Sequence, residues 1–534
     1  MRDKLTQTWV FPLTWLRFLI IILLVIGVFF RFVNLDKKVY LHDEAVTSIR
    51  IGGYTRSEIT QQIFNGDIIG VEDLQKYLRP NSEKGLSDTI RSLAIEDSQH
   101  PPLYYVMLRF WMQQFGSSVA VIRSFSAFIS LLVFPSLYWL CLELFGSSLV
   151  GWVAIALIAI SPFHLVYAQV AREFVLWTVT ILLSSAALLQ AMRLKTKFSW
   201  GIYAVTLAIG LYTFLFSGLV AIAHGIYVVI SESFRVSKTV TAYLLASLVG
   251  ILAYAPWIVS VITNSSRIFQ TTDWTSEDLV LSSLIDKWLH NISFAFLHEV
   301  EGVLSLLLIP PILFIVGYSF YFLYRNAPQR AFLFVLSLTG VTALAVILPD
   351  LILGGVRSTV IRYVIPCYLG IQLSVAYLLA TQITSISTEW QQKLWRFTIG
   401  AIVTLGVVSC TLISQAEITR INTTNKYNYP VARIINRADH PLLISSNYSS
   451  RNITHLLNLS YILKPSVKFQ LILEPNTPKI PDSFNELFLF NFFKSSEEKS
   501  EFANSSETLL YRLQKEQNYK IDNIYENLLW RLRK

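Results

Sequence analysis

The sequence predicts a polytopic α-helical membrane protein with a small soluble α/β domain at its C-terminus. Three observations lead there. Hydrophobic residues fill 53% of the 534 positions and charged residues only 15%, whereas soluble domains carry about 25% charge. The apolar residues come in blocks of roughly 18 to 24, the length needed to cross ~30 Å of hydrocarbon. These blocks stop near residue 415, and short strand-like runs follow. Segments in lipid must satisfy their own backbone hydrogen bonds, so the blocks are expected to be helices.

The first apolar run, Phe18 to Phe30, follows Arg2, Lys4 and Arg17 and continues into Arg31, Phe32 and Val33 with no small-residue cleavage site. It is expected to be an uncleaved span over residues 14–33. Further spans are expected at 120–143, 149–166, 173–192, 200–215, 217–232, 239–262, 303–324, 330–349, 363–383 and 396–415, about eleven in all. One short apolar segment, Leu103 to Phe115, carries Arg109, Gln113 and Gln114, and whether it crosses fixes the sidedness of everything after it. With a cytoplasmic N-terminus and a segment that does not cross, the basic residues Arg193, Lys195, Lys197, Arg235, Lys238, Arg325, Arg330, Lys393 and Arg396 all fall inside. That is the distribution the positive-inside rule demands. Leu103 to Phe115 is therefore expected to lie along the outer surface as an interfacial helix.

The same parity places residues 34–120, residues 263–302 and the C-terminal region outside the cell membrane. Residues 1–415 form the expected transmembrane module and residues 416–534 an extracytoplasmic α/β domain. In that domain Pro430 to Arg437 is helix-like, and Leu442 to Ser445, Val467 to Leu473 and Glu486 to Phe490 are strand-like. The net charge of +9 is scattered over short loops and the tail instead of forming one stripe. This argues for contact with membrane lipid and against nucleic acid. Cys141, Cys367 and Cys410 lie in apolar stretches without metal or redox spacing, and the chain contains no P-loop, dinucleotide fingerprint or HExxH.

Three polar clusters could carry chemistry, and the predicted topology brings all of them to the outer face. Tyr40-Leu41-His42-Asp43-Glu44-Ala45 sets adjacent carboxylates just after the first span. Glu96-Asp97-Ser98-Gln99-His100-Pro101-Pro102-Leu103-Tyr104-Tyr105 follows in the same loop. Ser161-Pro162-Phe163-His164-Leu165-Val166-Tyr167-Ala168-Gln169-Val170-Ala171-Arg172-Glu173 closes the third span. Each cluster has a structural explanation: Asp43 could cap a helix, Pro101 and Pro102 could start one, and Arg172 could snorkel to headgroups. Their order and common sidedness favour a site.

In that order, with Arg123 opening the second span and Arg362-Tyr363 preceding a late one, the chain resembles the GT-C glycosyltransferases that use polyprenyl-phosphate sugars. That superfamily includes protein O-mannosyltransferases and bacterial aminoarabinose transferases, and the resemblance covers roughly residues 14–370. Phe174 stands where many relatives have Tyr, and the C-terminal domain shares nothing with them. The resemblance implies transfer of a monosaccharide from a polyprenyl-phosphate donor to a glycan, lipid or protein acceptor, with inversion and with Asp43 as general base.

The residues fit that chemistry. An acceptor hydroxyl needs a base, which a carboxylate supplies. The departing lipid phosphate needs positive charge, which Arg172 and Arg362 supply at the expected outer ends of spans. Glu44 is a second catalytic candidate, and Asp97, His100, Tyr104, His164, Tyr167 and Gln169 are candidates for substrate binding or support. Asp43, Asp97 and His100, with His42, Glu44 and His164 nearby in the motifs, could hold a divalent Mg, Mn or Zn ion. The alternative is a transporter or flippase of lipid-linked sugar. Such proteins tend to place ionisable sites near the bilayer midplane and to show repeated halves, and neither feature is apparent here.

Overall fold

The computed structural model describes residues 14–298, 300–384, 388–418, 426–449, 451–493, 496–505 and 508–534. Arg2 and Lys4, which enter the orientation of the first span, lie outside the described residues. The principal helices in chain order are α1 (Thr14–Phe32), α2 (His42–Gly52), α3 (Leu86–Glu96), α4 (Leu103–Phe115), α5 (Val119–Leu131), α6 (Val133–Phe145), α7 (Ser148–Ala159), α8 (Pro162–Ala168) and α9 (Phe174–Leu194). They continue with α10 (Lys197–Thr213), α11 (Ser217–Ser231), α12 (Lys238–Thr263), α13 (Val303–Asn326), α14 (Gln329–Leu353), α15 (Ile365–Thr384), α16 (Glu389–Gln415), α17 (Asn428–Ile435) and α18 (Asn452–Leu459). The strands are β1 (Asn65–Gly70), β2 (Pro441–Ser446), β3 (Lys468–Ile472), β4 (Glu486–Phe490), β5 (Lys520–Tyr525) and β6 (Leu529–Arg533).

Each expected span coincides with helix, and the helices differ in length. Among the described residues eight segments are long and apolar enough to cross: α1, α5 with α6, α9, α12, α13, α14, α15 with the turn before it, and α16. A ninth exists only if α7 and α8, bent by 65° at their junction, count as one. Helices α10 and α11 have 17 and 15 residues. At ~1.5 Å per residue they reach only about 25 and 23 Å, short of the ~30 Å hydrocarbon core. Helix α4, with 13 residues, is shorter still, at ~20 Å.

The chain forms two compact units. The first takes the described residues of Met1–Leu35, then Asp97–Tyr104 and Arg123–Ala416, and is the helical bundle. Helices α9 and α15 are buried along 89% and 78% of their apolar windows, against 22% to 33% for α1, α12, α13, α14 and α16. A helix that is apolar all round belongs in the interior, so α9 and α15 form the centre. The outer helices expose apolar rows such as Leu244, Leu248, Leu252 and Val259 on α12, a surface suited to lipid.

Buried polar side chains hold the breaks in the bundle. Arg31, almost fully buried, donates to the carbonyls of Gly27, Ile158 and Ala159. It thereby satisfies carbonyls that α7 leaves open where it ends. Pro162 begins α8 at the position where a missing N–H costs nothing. Gln169 Nε2 donates to the carbonyls of Phe30 and Val33 at the end of α1.

The second unit joins Asp36–Glu96, Tyr105–Ile122 and Glu417–Lys534. Its six-stranded sheet has the order β1-β3-β2-β4-β6-β5. The central strands β3, β2 and β4 are parallel, while β1, β6 and β5 add antiparallel pairings. Every residue of β2 is buried, as expected for a parallel strand covered on both faces. The strand-like runs and the helix read from the sequence appear as β2, β3, β4 and α17. Strand β1 comes from the segment between α2 and α3, so this segment and the C-terminal region share one sheet.

Helix α2 is fixed at both ends within this unit. At its C-terminus Gly53 adopts φ +88°, and a Cβ there would meet Lys84 Cβ and Asp88 Cβ at 2.9 Å. Just before it, Arg50 forms a fully buried ion pair with Glu96 of α3 and donates to the Tyr54 carbonyl at 2.9 Å. Loss of either partner would strand a buried charge, a defect costing ~3–5 kcal/mol.

Candidate active site

In the helical bundle the two arginines singled out by the sequence sit just before the two most buried helices. Arg172 precedes α9 by two residues, and Arg362 precedes α15 by three. Both guanidinium groups lie over one ring, that of Phe174, at 5.4 Å for Arg172 and 5.7 Å for Arg362. Arg362 also faces Trp274 at 5.5 Å and Tyr363 at 5.6 Å, so three aromatic rings surround it. Cation–π contact holds such a group flat against the ring. The N-termini of α9 and α15 add the positive end of two helix dipoles to the same region.

Arg172 is aimed by a second set of contacts. Glu173 Oε1 accepts from Arg172 Nη2 at 3.0 Å and lies 2.8 Å from His100 Nδ1. With His100 Nδ1 donating to Glu173, its Nε2 accepts from Arg172 Nη2 at 3.2 Å. Glu173 is fully buried, and its second oxygen has no hydrogen-bond partner among the described residues. Sequence reasoning passed over this carboxylate, although an acidic residue directly after an arginine at a helix start was a usable signal. Tyr167 packs edge-on against Phe174, Phe214 does the same, and His100 stacks on Phe214. The arrangement is a cationic, aromatic-lined cluster suited to a phosphate.

Other predicted residues fall elsewhere in the bundle. His164 Nε2 pairs with Gln372 Oε1 at 2.8 Å, and Gln372 in turn donates to Ser161, a chain of buried polar groups between α8 and α15. Gln169 pins α1 as described above. Tyr104 pairs its hydroxyl with Ser126 at 2.7 Å. Asp97 is buried, and its Oδ1 accepts from Gln99 at 3.3 Å.

In the second unit Asp43 is half-buried at the second position of α2. The helix is capped by its neighbour: Glu44, fully buried, accepts from the Leu41 N–H at 2.9 Å. The structure therefore gives Glu44 the capping role that the sequence allowed for Asp43. His42, the first residue of α2, packs against His455 of α18 with ring centroids 5.6 Å apart, and His455 stacks on Phe492 at 3.5 Å. The C-terminal domain thus braces the start of the helix that carries Asp43.

Burial pushes the His455 imidazole well below its ordinary range, and His42 and Arg451 push the same way. A base with a depressed folded pKa contributes stability above its unfolded value of about 6.5, and this is lost as pH falls below it. The thermal unfolding temperature of the purified chain should drop between pH 7.5 and 5.5, and the drop should shrink in His455→Leu. An equal drop in both proteins would remove His455 from this role.

Among the described residues no group of three or more His, Cys, Asp or Glu side chains is arranged to hold a metal ion. His100 is engaged instead by a carboxylate and a guanidinium, and the positive charge 3.2 Å from its Nε2 opposes a cation there.

Comparison with known proteins agrees with this architecture. The family of dolichyl-phosphate-mannose-protein mannosyltransferases matches residues 99–259, a stretch that contains His100, Arg172 and Glu173. No curated protein sequence matches the chain. The fold superposes on ArnT from Cupriavidus metallidurans bound to undecaprenyl phosphate with a TM-score of 0.54 and 11% identity, covering 97% of each chain. It also superposes on the Archaeoglobus fulgidus oligosaccharyltransferase in the apo form, with a TM-score of 0.50 and 10% identity over 86% of this chain and 65% of that one. By fold, this membrane protein is similar to these two solved structures over most of its length, and its residues 99–259 are similar to the mannosyltransferase family.

Proposed function

We propose that this chain transfers a monosaccharide from a polyprenyl-phosphate donor to an acceptor hydroxyl at the extracytoplasmic face of the membrane. The observation that carries the proposal is the pairing of Arg172 and Arg362 over Phe174, with Glu173 and His100 aiming the first. Two cations at two helix N-termini favour a phosphate whose negative charge grows as a bond to it breaks. The presence of undecaprenyl phosphate in ArnT and the mannosyl-phosphate family match support the same donor class.

In the proposed reaction the acceptor oxygen attacks the anomeric carbon while Asp43 takes its proton. The bond from that carbon to the phosphate oxygen breaks, and polyprenyl phosphate leaves with its charge held by Arg172 and Arg362. A single displacement inverts the anomeric configuration. The phosphate is stable as an anion, so no acid is needed on the leaving side, in contrast to glycosidases with their paired carboxylates.

The sidedness of this proposal rests on the basic loops and can be tested separately. Single cysteines at the exposed positions Lys195, Glu277 and Lys464 should react differently with an impermeant thiol reagent in intact cells. Glu277→Cys and Lys464→Cys should label, and Lys195→Cys should label only after permeabilisation. The reverse pattern would invert the topology and move the site to the cytoplasm.

A further inference from the structure

The second unit holds a cavity of about 580 Å³ that plays no part in the chemistry above. Its walls include Asp36, Lys38, Tyr40, Arg79, Tyr429 and Tyr461. The size falls in the ~300–1,000 Å³ range of small-molecule sites. The tyrosines are held in place: Tyr40 shares a 2.6 Å hydrogen bond with Ser48 of α2, Tyr429 donates to the Lys37 carbonyl at 2.9 Å, and Tyr461 packs edge-on against Tyr40 with centroids 4.9 Å apart. Lys38 is only 7% exposed, an unusual degree of burial for lysine, while Arg79 is exposed.

We propose that this cavity is the acceptor subsite and that it takes a saccharide carrying an anionic group, a phosphate or a carboxylate. Three observations converge on that chemistry. Rigid tyrosines offer flat apolar faces with polar tips, a surface matched to a sugar ring with its C–H faces and hydroxyl edges. Lys38 and Arg79 outnumber Asp36, so the walls favour an anion, and Arg79 can engage it through a planar fork. Asp36 can accept from sugar hydroxyls. The fourth consideration is reach. Tyr40 precedes Asp43 by three residues, so their backbones are at most about 11 Å apart. A saccharide seated against Tyr40 can therefore extend a hydroxyl to the proposed base.

The inference rests on the glycosyl-transfer reading and can fail independently of it. The full chain in phosphatidylcholine nanodiscs would be probed by saturation-transfer NMR with glucose 6-phosphate and with uncharged methyl glucoside. Saturation should reach the ring protons of glucose 6-phosphate, and much less those of the uncharged sugar. Arg79→Gln should bind the phosphate sugar about tenfold more weakly, the loss expected for one charge-assisted hydrogen bond. Ser117→Trp, which fills the cavity from a half-buried wall position, should abolish binding without touching a charge. Binding that is absent in the wild type, or unchanged in both variants, would overturn the proposal. So would binding that disappears in nanodiscs containing phosphatidylglycerol, because the cavity would then belong to bulk lipid headgroups.

Release of polyprenyl phosphate from a donor, measured on the same samples, separates the two claims. A wild type that releases lipid phosphate but gives no saturation transfer keeps the reaction and loses the subsite. One that binds the sugar phosphate but never cleaves a donor loses the reaction, and the acceptor assignment with it.

Discussion

Replacement of Asp43 by Asn should lower sugar transfer by roughly 10²-fold or more, the scale of general-base catalysis, while leaving fold and donor binding intact. The structure sharpens this expectation. Because Glu44 makes the cap of α2, and because Asn is itself a good helix-start residue, the substitution removes the proton acceptor without loosening the helix. Asp43 is half-buried, so an amide there strands no deeply buried charge. Glu44→Gln should behave differently: with its carboxylate bound to the Leu41 N–H, its loss should appear as lowered stability of α2. Circular dichroism and thermal unfolding of each variant, beside turnover, would tell the two apart. A folded Asp43→Asn protein with wild-type transfer would remove Asp43 as the base.

Arg172→Ala and Arg362→Ala should each lose about 2 to 4 kcal/mol of transition-state stabilisation, roughly 30- to 1,000-fold in kcat/KM. The charge on the leaving phosphate is greatest as its bond breaks, so the loss should fall on kcat as well as KM. Arg172→Lys should recover only part, since a point charge replaces a planar fork. Its carboxylate partner gives a further discriminating variant: Glu173→Gln keeps the shape but weakens the grip on both Arg172 and His100. Radiolabelled donor and a quantified release of lipid phosphate would supply the rates. Unaltered turnover in both alanine variants would make these arginines anchors for Phe174 and the helix ends only.

The spans were legible because lipid imposes long apolar blocks on the chain. The departures arise where blocks abut. Residues 200–215 and 217–232 read as two full spans, but the turn over Phe214 to Phe216 shortens α10 and α11 on either side. Ser161-Pro162 signalled the bend between α7 and α8 only in retrospect, because both flanks are apolar. Strand β1 was not legible: its sequence, Asn-Gly-Asp-Ile-Ile-Gly, lacks the alternation and β-branched density of a strand, and pairing with β3 supplies what local propensity does not.

The site was legible in parts. Residue order put Arg172 and Arg362 next to the starts of apolar blocks, but their meeting over Phe174 depends on the adjacency of α9 and α15 in space. His164 and Gln169 drew attention as polar residues within an apolar run. The structure spends them on Gln372 and on the open carbonyls of α1, because a bent or ended helix in a membrane must find partners for its backbone and buried polar atoms.

The most direct test of glycosyl transfer is the fate of an isotopically labelled sugar when the purified chain, in liposomes, is given polyprenyl-phosphate sugar and a cell-envelope acceptor extract. The account predicts that label leaves the lipid in step with free polyprenyl phosphate and appears in a new glycosidic bond. The anomeric configuration, read by NMR, should be opposite to that of the donor. Labelled lipid that crosses the bilayer with its sugar still attached, and no glycosidic bond formed, would contradict it and identify a flippase.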